Sequence, residues 1–318
     1  TASTTARVSR RPLIFSILAG VAALSLAIAG YLTFHSRMQA TVADLATDVQ
    51  NAQDTSDLAH ALRVLARTPG APTEVLKQGC QRLLDAGRFD AVLDVTESWS
   101  QSAPTAVASL LLEAEAAVGA RRGKRAEAAI KKASELAPNE ARVDAITAEL
   151  KEQQADIASA LEAWTRASKK APSVQWYWAR QGYWLSQSGR LDDAAEALAR
   201  AQKPKADPRS MAELGFVRLR QNRIDEALRL LRQSIRERPD LLEAHYYLGT
   251  ALYQRRDVAG ARASYLEADA LAAEDHRPLL ALCQLEAQQK SGELEAVKIR
   301  MRERFPREAD ALIAQCSP

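Results

Sequence analysis

Residues 12–34 read PLIFSILAGVAALSLAIAGYLTF and carry no charged side chain. At a rise of ~1.5 Å per residue, about 20 apolar residues cross a hydrocarbon core of ~30 Å. The pattern predicts a membrane-spanning helix over 12–34. Tyr31 and Phe34 stand near one end of it, where interfacial aromatics are favourable. Past this run the pattern changes. Met38, Val42, Leu45, Val49 and Ala52 alternate steps of four and three, which gives a helix one apolar stripe. Two heptads are too few for a coiled coil. Residues 35–72 are therefore expected to form a helical stalk and a half unit, DTSDLAHALRVLARTPG at 54–70.

From residue 73 the pattern repeats. Pro104, Pro138 and Pro172 are spaced by 34, and Pro239 falls near the same phase two units later. Twelve residues before each of these phases stands a small or β-branched residue: Val92, Ala126, Ala160, Ala194, Ala227 and Ala261. Four residues further on come Thr96, Ile130, Trp164, Leu198, Leu231 and Tyr265, five of them large and apolar. A helix pair with an apolar stripe cannot bury it alone and must stack on its neighbours. The small residue lets two helices approach, the bulky one fills a groove, and proline ends the second helix.

These units resemble the tetratricopeptide repeat, a 34-residue helix-turn-helix. The resemblance is best in ELGFVRLRQNRIDEALRLLRQSIRERPD (213–240) and YLGTALYQRRDVAGARASYLEADAL (247–271), which keep Leu214-Gly215 and Leu248-Gly249. The turns are AGRFDAV (86–92), SGRLDDA (188–194) and QNRIDEA (221–227). The units at 107–140 and 141–174 lack Leu-Gly and have Glu113-Ala114 and Thr147-Ala148 instead. The fold class implied is all-α: a right-handed solenoid of antiparallel helix pairs, with six repeats over 73–274, preceded by a single transmembrane helix. Residues 275–318 are expected to hold a degenerate seventh repeat of slipped register and a C-terminal cap.

Charge orients the chain. Arg7, Arg10 and Arg11 precede the span, while only Arg37 follows closely before Asp44, Asp48 and Asp54. The positive-inside bias places residues 1–11 in the cytoplasm and the repeats on the other side, the periplasm of a bacterial inner membrane. A mitochondrial membrane is the weaker alternative, since the first 43 residues lack Asp and Glu. Ala27-Ile28-Ala29 would suit signal-peptide cleavage, but the apolar run continues past it, which favours an uncleaved anchor. Ser16, Gly20, Ala23 and Ala27 belong to a small-residue stripe that could seat another membrane helix; a generic Ala-rich span explains it equally.

The net charge of +3 is spread without single-sign blocks, which argues against a nucleic-acid surface. His35, His60, His245 and His276 are scattered, no phosphate loop or nucleophile motif occurs, and neither an enzyme nor a cofactor is expected. Cys80, Cys283 and Cys316 have no disulfide-framework spacing. Cys80 and Cys283 are expected to be packing residues at the small-residue site of a first helix, and Cys316 an idle thiol.

The outlying stretch is QWYWARQGYWL (175–185), with five of the chain's twelve Trp and Tyr residues. Helical spacing puts Trp178, Gly182 and Leu185 on the face toward the partner helix, Tyr177 and Trp184 toward the next unit, and Trp176, Ala179 and Tyr183 on a third face. In the resembling family that third face lines the concave surface where protein partners bind. The candidate groove is therefore Trp176, Tyr183, Arg209, Phe216, Arg220, Tyr246, Tyr247 and Tyr253, aromatic and Arg-rich as interface anchors are. Glu115, Glu149 and Glu152 make the earlier units more acidic. The Lys/Asn carboxylate clamp of chaperone-binding members is absent. The resemblance implies an interaction scaffold, by analogy with anchored members that assist envelope assembly, secretion or cytochrome c biogenesis. The alternative is a permanent structural subunit of one membrane enzyme or secretion complex.

Overall fold

In the computed structural model the chain folds into α-helices, with no strand among the described residues. The structure describes residues 28–316 in full, and the first helix begins at Arg11. Two compact units divide at 138/139. The first holds α1 (Arg11–Asn51), α2 (Thr55–Arg67), α3 (Thr73–Asp85), α4 (Phe89–Ser102), α5 (Val107–Gly119) and α6 (Gly123–Leu136). The second holds α7 (Ala141–Gln153), α8 (Ile157–Lys170), α9 (Gln175–Gln187), α10 (Leu191–Ala201), α11 (Pro208–Arg220) and α12 (Ile224–Glu237). It continues through α13 (Leu242–Gln254), α14 (Val258–Leu271), α15 (His276–Gln288), α16 (Leu294–Arg304) and α17 (Ala309–Ala314).

Up to residue 27, the expected span at 12–34 and its small residues Ser16, Gly20, Ala23 and Ala27 lie outside the described side chains. Among the described residues no helix is long and apolar enough to cross a membrane. At its C-terminal end α1 docks on the first unit. Val49 is buried, and Arg82 of α3 donates to Val49 O at 3.3 Å and Ala52 O at 3.0 Å, closing carbonyls the helix leaves open.

One turn recurs seven times between paired helices. Gly87, Arg121, Ala155, Gly189, Asn222, Arg256 and Lys290 all have φ between 49° and 78°. In each case the next residue's N–H reaches back over the turn, as from Arg88 to Leu83 O at 2.8 Å and Ser291 to Glu286 O at 3.0 Å. This is the Schellman closure of a helix end. Glycine takes it freely, while the other side chains accept a left-handed backbone at ~1 kcal/mol. Lys290 stands 34 residues after Arg256. The seventh pair therefore keeps register through α15 and its turn, and the expected slip begins only at α16.

The small-and-bulky pattern has a direct geometric cause. A Cβ on Gly215 would lie 2.8 Å from Leu231 Cγ, and one on Gly249 2.6 Å from Tyr265 Cδ1. The bulky residue of the second helix lies on the bare backbone of the first, within its own pair. Ala194, Ala227 and Ala261 are fully buried beside these contacts. Pro104, Pro138, Pro172 and Pro239 each directly follow the C-cap residue of a second helix, where proline bars further helix.

The cysteines require a correction. Cys283 and Cys316 are joined by a disulfide, with Cα atoms 5.4 Å apart. Cys316 is not an idle thiol: it lies just past α17, which packs on α16 and α15. Cys283 occupies the small-residue site as expected, and the chain beyond α17 brings its partner there. Cys80 is free and buried, and burial pushes its thiol up to about 12, so it is inert.

Candidate partner-binding face

Within the second unit, successive first helices touch one another, α9 with α11 and α11 with α13. Helices α9, α11, α13 and α15 begin at residues 175, 208, 242 and 276. Trp176, Arg209, Glu243 and Arg277 therefore share one position, as do Arg180, Glu213 and Tyr247, and as do Tyr183, Phe216 and Thr250.

Glu152, near the end of α7, organises the first cluster. It accepts the indole N–H of Trp164 at 2.6 Å and that of Trp184, and it pairs with Arg180. The Arg180 guanidinium lies 5.9 Å from the Trp164 ring centre and 5.7 Å from that of Tyr183. Trp164 is fully buried, with the edge of Trp176 against it at 5.2 Å. Trp176 remains 46% exposed. An exposed indole is thus fixed on a buried base, and little side-chain entropy remains to be lost when it is covered.

Tyr183 is half-buried against Trp184 at 5.0 Å. Tyr177 and Trp184 pack back on the preceding pair, through Trp164 and Glu152, and not on the following one as their spacing suggested. Trp178 and Gly182 do face the partner helix: the Gly182 Cβ site lies 2.5 Å from Leu198 Cγ.

Arg209 is exposed, while Phe216 and Tyr246 are half-buried. Tyr247 is no open groove residue. It is 6% exposed and stacks on Phe216 at 4.4 Å, bridging α11 and α13. Arg220 is exposed but donates to Ser186 O at 2.7 Å, bracing the end of α9. The Tyr253 hydroxyl donates to Gln288. Both therefore hold neighbouring pairs together.

Glu213 sits beside these rings, 8% exposed. Its one polar contact is the Tyr247 hydroxyl, 3.4 Å from Oε1, and Oε2 meets no donor. Burial is the main cause that raises its carboxyl to about 7. Glu243 adds to the rise, while the Tyr247 hydrogen bond, Arg209 and Arg277 oppose it. Burial likewise raises the Tyr247 hydroxyl.

Spacing alone had found Trp176 and Tyr183 but missed Arg180 as the cation that neutralises Glu152. The available signal was that Arg180 stands four residues after Trp176 and three before Tyr183, on their face of the helix. Among the described residues, no group of three or more His, Cys, Asp or Glu side chains is placed to hold a metal ion.

Helix pairs at a 34-residue period, each stacked by its second helix on the first helix of the next, define a helical-hairpin repeat protein. Residues 147–210 and 213–276 match the tetratricopeptide-repeat profile, so this stretch of the chain is built of tetratricopeptide repeats. Among curated proteins none matches the sequence. Similar solved structures include Pseudomonas aeruginosa PilF, with 18% identity and a TM-score of 0.55, covering 66% of this chain and 97% of that one. PilW, a type IV pilus biogenesis factor, has 15% identity and a TM-score of 0.58 over 65% of this chain and 98% of its own. The Cut9–Hcn1 structure has 16% identity and a TM-score of 0.64 over 82% of this chain, which spans about half, 52%, of that one. At these identities the likeness is one of fold.

Proposed function

We propose that this chain is a membrane-anchored, non-enzymatic adaptor whose second unit receives a protein segment on its inner face. The observation that carries this reading is Trp176, an exposed indole seated on a fixed aromatic base. Large aromatics and Arg with little freedom left to lose are what interface anchors are made of. The groove reading also draws on Tyr183, Arg209, Phe216 and Tyr246. PilW shows that this fold serves pilus biogenesis in one protein; its role supports assembly of an envelope machine only by analogy.

The test uses full-length chain solubilised in detergent, with partners identified by cross-linking and mass spectrometry. Trp176→Ala and Arg209→Ala should leave helicity and melting unchanged and lower recovery of a direct partner about tenfold or more. Recovery at wild-type levels from both variants would remove the inner face as the binding surface. A partner recovered in fixed stoichiometry, with no free chain left, would favour the permanent-subunit alternative.

The location proposed is an inner membrane, with residues 12–34 as the span and the repeats on the periplasmic side. The apolar run and the arginines before it support this. So does the Cys283–Cys316 disulfide, since such bonds persist in oxidising compartments and are rare in the cytosol. A reporter that works only after export, fused behind Pro318, should be active. Trapping of thiols in intact cells should find Cys283 and Cys316 oxidised. A reduced pair with an inactive reporter would reverse the topology.

A further inference from the structure

The Glu213 carboxyl is costly where it stands. Ionised, it is a buried charge whose Oε2 has no donor. At the same position in the preceding pair stands Arg180, which neutralises Glu152. At Glu213 the sign is reversed and the counter-charge is missing. Arg277 does not supply it, because Asp275 already holds that guanidinium at 2.5 Å. Arg209 is exposed and makes no ion pair with Glu213. Glu243 adds a second negative charge.

The surroundings suit one kind of counter-charge. Phe216 and Tyr247 stack at 4.4 Å, and Tyr246 lies 5.8 Å from Tyr247. A guanidinium already rests on this cluster, that of Arg277 at 5.7 Å from the Tyr246 ring centre. Ring faces attract cations, and a planar guanidinium also offers two parallel donors to one carboxylate, which an ammonium does not. Phe216 and Tyr246 are half-buried, so the carboxyl lies close beneath the surface.

We propose that Glu213, with the rings of Phe216, Tyr246 and Tyr247, forms a subsite for an arginine side chain carried by an extended segment of the partner. The proposal rests on the inner-face reading above and adds to it the chemistry of one partner residue. The guanidinium would give Oε2 its missing donors and restore the charge balance that Arg180 supplies one pair earlier.

The probe is a set of four fluorescent undecapeptide pools, acetylated and amidated. Each pool is random except for a central Arg, Lys, citrulline or Glu. Citrulline keeps the shape of arginine without its charge. Binding is measured by fluorescence polarisation on the full chain in detergent. The Arg pool should bind about tenfold tighter than the citrulline pool. Glu213→Gln should erase that preference and leave citrulline affinity unchanged. Tyr246→Leu, a second variant that keeps the carboxyl, should weaken the Arg pool selectively. Melting curves verify that both variants fold. An Arg preference that survives Glu213→Gln overturns the proposal, and so does a Lys pool that binds as tightly as the Arg pool. Equal binding of all pools removes the subsite and leaves the inner-face reading standing. If no pool binds the wild-type chain, both fall.

Discussion

Replacing Trp164 with alanine should destabilise the second unit by about 3–5 kcal/mol, the cost of emptying a buried indole site. The side chain is fully buried on α8. The loss spreads beyond the cavity. Trp164 donates to Glu152, carries the edge of Trp176, and lies beneath Arg180. Without it, Glu152 keeps Trp184 and Arg180 but loses a donor inside a partly buried network, and Trp176 loses its base. Thermal unfolding followed by circular dichroism measures the first effect. Trp176 fluorescence measures the second, compared between Ala and Phe at position 164 with Trp99, Trp178 and Trp184 replaced by Phe. Trp164→Phe keeps most of the ring and should cost less than half as much. Equal melting of the alanine variant and the wild type would mean that the cluster does not form in solution.

Ala227→Trp should be more damaging than overpacking usually is, above the common range of about 1–3 kcal/mol. Ala227 is fully buried on α12, and its carbonyl lies only 3.5 Å from where a Cβ on Gly215 would sit. The adjacent space is taken by Leu231, so an indole can enter only by separating α11 from α12. Repeat arrays are stabilised by sums of pair and neighbour terms, so α9–α10 and α13–α14 should loosen too. Hydrogen exchange should show lost protection in all three pairs. Loss confined to α11 and α12 would show the neighbour terms to be weak.

The repeat period was legible because the same contact has to be made in every pair. A close approach needs a small residue, and a bulky one must cover it, so Gly215 with Leu231 and Gly249 with Tyr265 leave a pattern in any register. The site was legible only in part. Trp176 and Tyr183 follow from helical spacing alone. The Glu152 hub does not, because its partners stand 12, 28 and 32 residues away and converge only after packing. Tyr247 shows the opposite failure. Its spacing matches the inner face, but the stacking of α13 on α11 closes Phe216 over it. Arg220 and Tyr253 were drawn into braces between neighbouring pairs, a use that one-helix spacing cannot reveal. The disulfide has a readable signal in the sequence: its cysteines lie 33 residues apart, close to one period. The membrane span stays a reading of composition and charge.

Consider α17. In every earlier pair of the second unit, the surface left open by a first and second helix is covered by the next first helix, as α15 covers α14. Helix α17 takes that place over α16 and α15 with a single short helix, burying Leu312 and Cys316 against Met301. A stack of identical building blocks has adhesive ends, much as an unpaired sheet edge does, and two such ends invite chains to polymerise head to tail. Here the stacking surface of α16 and α15 is occupied by α17 and locked by a covalent bond. Reducing that bond should therefore matter less to the folding of the unit than to its tendency to form filaments.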